Sequence, residues 1–271
     1  MATHEESVTI GVDEQALDAT FVTPGTLLPG VLFVHGWGGS QAQYLARARA
    51  VAGLGCICLT FDLRGHAHTR SLYETVSRDL NLRDVVAAFD LLVARRHVDP
   101  SAIAVIGSSY GGYLATILTT MRPVRWLGLR APALYRDTGW DMPKLRLHQE
   151  QDLPRYRSQL IPTEDNRALR ACRDFRGDVL LVESEHDAVI PASVLASYRA
   201  AAVSSRSLTY RCLKDADHGL TDQQQQLAYT SALVTWLKEM VAQSRHGVVT
   251  PPPADPLSAP ESPPQTITGH A

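Results

Sequence analysis

The chain has 271 residues and a mass of 29.6 kDa, enough for one large domain with a well-buried core or at most two small ones. Hydrophobic residues make up 45% and charged residues 20%, as in an ordinary globular protein, and no apolar run approaches the ~20 residues that span a bilayer. A formal net charge of −2 gives no electrostatic reason for a nucleic-acid partner; no membrane partner is expected, and the oligomeric state stays open. The first six residues are polar and acidic, unlike a secretory leader, so the expected location is cytoplasmic.

Two short stretches, residues 8–12 and 19–23, look like strands. Residues 30–35 (GVLFVH) form a continuous apolar run ending in HGWGG, the pattern of a strand buried on both faces. Helical spacing follows over 41–54, then a second buried strand at 56–61, where Cys56 and Cys58 should share one face. Residues 82–96 repeat apolar positions at helical intervals, with Val85, Phe89 and Leu92 on one side. Strands are predicted at 103–106, 126–129, 179–183 and 208–213, and helices at 111–121, 192–202 and 223–243.

Alternation of this kind implies an α/β fold, a mostly parallel central sheet with helices on both faces. The stretch 134–176 breaks the rhythm: it is rich in Arg, Asp, Glu and Pro and too long for a plain connection. It reads as a short inserted lid in a domain covering 1–246. Residues 247–271 hold seven of the sixteen prolines and almost no large apolar residue, so they read as a disordered proline-rich tail, with a docking segment as the alternative. The four cysteines form no framework, and the ten histidines show no metal-ligand spacing.

In an open parallel sheet, ligands bind beyond the carboxyl ends of the strands. Four such ends carry chemistry. Gly107-Ser108-Ser109-Tyr110-Gly111-Gly112 follows a strand and opens a helix: GxSxG in the context of a nucleophile elbow, with Ser109 as nucleophile. His35-Gly36-Trp37-Gly38-Gly39 follows a buried strand and suits a loop donating one N–H to an oxyanion hole, so the hole is assigned to the backbone N–H groups of Trp37 and Tyr110. The Ser184-Glu185-His186-Asp187 loop supplies an acid, assigned to Asp187 over Glu183 and Glu185. The Asp215-Ala216-Asp217-His218-Gly219-Leu220 loop supplies His218, a general base suited to neutral pH. The order Ser109, Asp187, His218 is the chain order of such a triad on this architecture.

These motifs, together with Asp62-Leu63-Arg64-Gly65-His66, resemble the α/β-hydrolase superfamily over about residues 7–243. Within it the chain looks like bacterial serine esterases related to dienelactone hydrolases and to prolyl-oligopeptidase catalytic domains. Ser109 stands where dienelactone hydrolases carry cysteine, Ser184 where many relatives have glycine, and no β-propeller sequence precedes the domain.

The expectation is a serine hydrolase cleaving a small-molecule carboxylic ester, short-acyl or polar, through an acyl-enzyme, with no metal and no cofactor. The same triad serves a peptidase, amidase, thioesterase or acyltransferase; a silent hydrolase fold used for binding is the rival from another class. The rings of Trp37 and Tyr110 are candidate pocket walls, and Arg64, with His66, is a candidate substrate contact or a loop tie. Tyr135, Trp140, Tyr156 and Leu160 are candidates to face the site from the lid, and its arginines to meet an acidic ester.

Overall fold

The computed structural model describes residues 4–23 and 28–246; the proline-rich tail expected at 247–271 lies outside the described residues. The chain opens with an antiparallel pair, β1 (His4–Val12) and β2 (Gln15–Thr23). Their two-residue turn puts Asp13 and Glu14 at φ 47° and 66°, the left-handed pairing that matches strand twist. Then come β3 (Leu28–Val34), α1 (Leu45–Ala52), β4 (Ile57–Phe61), α2 (Arg78–Val93), β5 (Val98–Ser108), α3 (Tyr110–Leu118) and β6 (Trp126–Arg130). After β6 run three short helices, α4 (Lys144–Glu150), α5 (Leu153–Arg157) and α6 (Arg167–Asp174), followed by β7 (Asp178–Ser184), α7 (Ala192–Ala201), β8 (Ser207–Leu213) and α8 (Gln223–His246).

The eight strands form one sheet in the order β1-β2-β4-β3-β5-β6-β7-β8, parallel from β4 to β8. α1 and α8 cover one face, and α2, α3, α6 and α7 the other. Strands sandwiched in this way are apolar on both sides, so every residue of β3, β4 and β6 is buried. Cys56 and Cys58 do share a face, buried under α1 and α8. Local signals set the helix starts: Ser77 Oγ accepts from the Leu80 N–H at the start of α2, and the Asn166 side chain accepts from Ala168 and Leu169 at the start of α6.

The segment 134–176 divides. Its last helix, α6, packs on α3 and α7 and is the ordinary crossover between β6 and β7. Only the part before it departs from the sheet's layers.

The loop after β3 is braced from below by the loop after β4. His35 Nε2 accepts from the Leu63 N–H at 2.9 Å while its Nδ1 lies 2.7 Å from the Gly36 carbonyl. A carbonyl only accepts, so the proton sits on Nδ1 and the ring is neutral. His66 repeats the pattern: Nε2 accepts from the Gly38 N–H at 2.9 Å, and Nδ1 points to the carbonyls of Leu63 and Arg64. Burial, aided by the neighbouring His66, pushes the His35 imidazole down to about 3 against the Gly36 hydrogen bond; burial lowers His66 as well.

One of the tightest points in the fold is where α3 meets β3. A Cβ on Gly111 would lie 2.2 Å from the Val34 carbonyl oxygen and 2.5 Å from that of His35. Gly111→Ala is therefore expected to force the backbones apart and cost ~3 kcal/mol, read as a lower urea midpoint at unchanged slope. Acid should loosen the same region. Unfolded His35 takes a proton below its ordinary 6.5, whereas the folded ring resists until about pH 3. Stability should thus fall as pH drops from 6.5 toward 3, by about 1.4 kcal/mol per unit from this group. Denaturant titrations across that range should show His35→Asn starting less stable at pH 7 but falling less steeply.

Candidate active site

The strand ends at β5, β7 and β8 bring three side chains together. Ser109 joins β5 to α3 at φ 52° and ψ −118°, a conformation that costs a non-glycine residue energy and needs its surroundings to impose it. Gly107 makes room for it: a Cβ there would lie 2.5 Å from the Gly111 carbonyl oxygen. The Ser109 N–H donates to the Arg130 carbonyl, and its own carbonyl accepts from Tyr113 and Ala133. Ser109 Oγ then lies 3.0 Å from His218 Nε2, and His218 Nδ1 lies 2.7 Å from Asp187 Oδ2.

The loop after β7 prepares the carboxylate. Asp187 Oδ1 accepts from the N–H groups of Val189 and Ile190 at 2.8 and 2.7 Å. Burial alone would raise the Asp187 carboxyl; the hydrogen bonds from His218 and these two N–H groups outweigh it and hold the group below the usual carboxylate range. An ionised carboxylate only accepts, so His218 carries its proton on Nδ1 and turns a lone pair on Nε2 toward Ser109. The rival acids are engaged elsewhere: Glu183 with the Tyr210 hydroxyl, Glu185 with Lys214 and the Asp215 N–H.

Around Ser109 the backbone offers donors. Gly38 N–H is taken by His66 and Gly39 N–H by the Gly36 carbonyl. The N–H groups of Trp37 and Tyr110 have no acceptor among the described residues, and Tyr110 is the first residue of α3, where the helix supplies none. The positive end of that helix also favours a developing anion.

A cavity of ≈ 290 Å³ opens at Ser109 and His218. Trp37 lines it; Tyr110 and Arg64 do not. The Tyr110 side chain is buried behind the elbow with its hydroxyl donating to Asn81 Oδ1 at 3.1 Å. Arg64 is 4% exposed, and its guanidinium is held by Asp84 through Nε at 3.2 Å and Nη2 at 2.7 Å. Both are corrections to the sequence reading: the small residues at the elbow draw the large Tyr110 ring inward, and the buried Asp84 pulls Arg64 away from solvent. Arg64 acts as a loop tie.

None of the four aromatic and aliphatic candidates of the inserted segment lines the cavity. Tyr135 packs edge-on against Tyr110 and Tyr113, Trp140 stacks on Tyr113, the Tyr156 hydroxyl accepts from Asn166 Nδ2, and Leu160 is 64% exposed. No arginine of the segment lines the cavity either; Arg146 pairs with Glu150, Arg170 with Asp137, Arg173 with Glu164 and Asp174, and Arg157 donates to the Leu134 carbonyl. What the segment does bring is Lys144, fully buried, its Nζ 4.7 Å from the ring centres of Trp37 and Tyr135 and 5.0 Å from that of Tyr110. Burial, then Arg157 and Arg78, push this amine well below its ordinary value.

Of the cavity residues that local motifs do not mark, among them Gln43, Tyr44 and Gln226, two are charged. Arg130, at the end of β6, donates from Nη2 to the His218 carbonyl at 2.7 Å and from Nη1 to Ser184 Oγ at 3.1 Å. Arg47, on α1, also lines the cavity. Neither lies in a motif or beside a glycine turn, so nothing local marks them. For a metal, the described residues offer one trio, Glu185, His186 and Asp215, with ligand atoms within 4.8 Å of one another. All three are exposed and Glu185 is already paired with Lys214. Among the described residues no helix is long and apolar enough to cross a membrane.

Comparison with known proteins places this geometry. Over 110 residues the chain is 34% identical to an uncharacterized protein of Mycobacterium tuberculosis, a match covering 41% of this chain and 38% of that relative. The chain thus spans well under half the length of the curated relative it matches. The fold is similar to that of a dienelactone hydrolase from Anabaena variabilis (TM-score 0.61, 20% identity, 88% of this chain and 98% of that one). It is similar again to Est1E from Butyrivibrio proteoclasticus, solved with ferulic acid (TM-score 0.66, 17% identity, 87% and 99%). These likenesses establish the α/β-hydrolase fold. The model of the prolyl oligopeptidase family matches residues 42–244, from the turn before α1 almost to the end of α8, and by that match the chain belongs to the prolyl oligopeptidase family.

Proposed function

We propose that the protein is a serine hydrolase that cleaves small carboxylic esters through an acyl-enzyme. The observation that carries this reading is the unbroken relay from Ser109 Oγ through His218 to Asp187, at 3.0 and 2.7 Å, on a strained elbow that opens into a cavity. A serine hydroxyl attacks poorly until a base removes its proton. His218 Nε2 takes that proton as Oγ bonds to the substrate carbonyl carbon. Asp187 keeps the imidazole in the required tautomer and stabilises the imidazolium without taking up the proton itself.

The carbonyl oxygen becomes an oxyanion, and the N–H groups of Trp37 and Tyr110 are the donors for it. His218 returns the proton to the leaving alcohol, and the acyl group stays on Ser109. Water then enters, gives a proton to His218, attacks the acyl carbon and releases the acid as Ser109 regains its hydrogen. The cavity size, ≈ 290 Å³, favours a short acyl group.

The family name supplies a second reading, cleavage of an amide or peptide by the same relay. A panel of 4-nitrophenyl esters from acetyl to palmitoyl, run beside aminoacyl anilides, separates the two. We expect turnover of acetyl and butyryl esters well above octanoyl, palmitoyl and anilide substrates. Ser109→Ala should lower kcat on the order of a million-fold and abolish labelling by a fluorophosphonate probe, while Ser108→Ala, whose hydroxyl lies within 3.4 Å of Arg130 Nε, should cost far less. Full labelling of the Ser109→Ala protein would move the nucleophile elsewhere.

A further inference from the structure

The relay occupies one end of the cavity. Its wall also carries two arginines, neither of them in a salt bridge among the described residues, although Arg130 acts at longer range on the exposed Asp217 carboxyl. Arg47 is 8% exposed, and its Nε has no hydrogen-bond partner. Its Nη1 donates to the Gln43 carbonyl at 3.1 Å. Arg130 is 6% exposed and donates to two serine hydroxyls and the His218 carbonyl. All of these acceptors are neutral. Among the described residues neither guanidinium has a carboxylate within ion-pair distance, whereas Arg64, equally buried, is paired with Asp84.

The two cations share an aromatic neighbour. Both lie against the ring of Tyr229, Arg47 at 4.9 Å and Arg130 at 5.9 Å from its centre. Burial pushes the Tyr229 phenol up, so it stays neutral and adds no negative charge. A buried cation without an anion is costly, and two beside one ring repel. Two guanidiniums that line a small polar cavity, neither in an ion pair among the described residues, point to an anion arriving from outside.

Resting on the hydrolase reading, we propose that Arg47 and Arg130 bind a carboxylate of the substrate, and that the preferred ester bears that carboxylate a few atoms from the carbonyl attacked by Ser109. Guanidinium edges match the two oxygens of a carboxylate. The shared cavity keeps the spacer short, because ≈ 290 Å³ must hold both the carboxylate and the reacting ester. The charge that attracts an acidic ester therefore comes from the α1 and β6 side of the cavity. The arginines of 134–176 take no part.

The test uses two pairs of small esters and the full chain. Monomethyl succinate carries the carboxylate on the acyl side, with dimethyl succinate as its neutral control. O-acetylglycolate carries it on the alcohol side, with methyl O-acetylglycolate as control. Binding is measured by calorimetry on the Ser109→Ala protein, which cannot turn the ester over, and kcat/KM on the wild type. At least one anionic member should bind ten-fold or more tightly than its neutral control, and the pair that shows it identifies the side. Adding Arg47→Gln to Ser109→Ala should bring that ratio close to one. If Arg47→Gln fails to fold, the wild-type pairs still decide.

Equal binding and equal kcat/KM within both pairs would overturn the proposal and leave the hydrolase reading standing. Selective binding of an anionic ester without hydrolysis of any ester would support this site while removing the hydrolase reading. Inorganic phosphate binding more tightly than either anionic ester would overturn the carboxylate assignment.

Discussion

The contact between the first turn of α3 and the last residues of β3 sets the position of everything above it. With no side chain at Gly111, the helix backbone rests on the carbonyls of Val34 and His35. That contact fixes the distance between two segments far apart in sequence, the loop holding Trp37 and the elbow holding Ser109. Catalytic geometry on the scale of tenths of an ångström needs such a rigid reference. Here the reference is backbone on backbone, which is stiffer than any packing between side chains.

A second layer of constraint comes from buried polar groups rather than apolar ones. Two neutral imidazoles and the Arg64–Asp84 pair tie the loops after β3 and β4 to each other and to α2. Asn81 extends the network, donating to the Arg64 carbonyl and accepting from the Tyr110 hydroxyl. Buried networks of this kind are worth having when every member is satisfied, because each alternative arrangement then leaves a group unpaired. They explain why an Asp-Leu-Arg-Gly-His stretch sits beside a site to which it contributes no reacting atom.

Much of this was legible in the sequence, and what was legible shared one property: it was local. Apolar runs marked the buried strands, and glycines at the ends of β3 and β5 marked close backbone approach. The three relay residues each followed a strand, so topology alone brought them to one edge. Boundaries were less readable. β1 and β2 run longer than their apolar cores because a hairpin at the margin of a sheet tolerates polar residues, and a turn made by Asp13 and Glu14 gives no glycine signal. In sequence the insertion reads as one unit because its final helix is only eight residues long and heavily charged; tertiary packing on α3 makes it the crossover. Side-chain direction was the least readable of all. Whether Arg64 or Arg47 faces a cavity depends on which buried acid lies within reach, a fact set by residues from other elements.

Arg130 belongs to a strand that contributes no member of the relay, yet it touches all three of its branches. Its carbonyl holds the Ser109 N–H, one guanidinium nitrogen holds the His218 carbonyl, and another holds Ser184 at the root of the Asp187 loop. Three loops that would otherwise fray independently are knotted at one residue. Local opening in proteins proceeds by cooperative units, and groups that share an anchor open together. The relay should accordingly behave as one such unit, intact or dissolved as a whole, with amide-exchange protection at Ser109, Asp187 and His218 rising and falling in step.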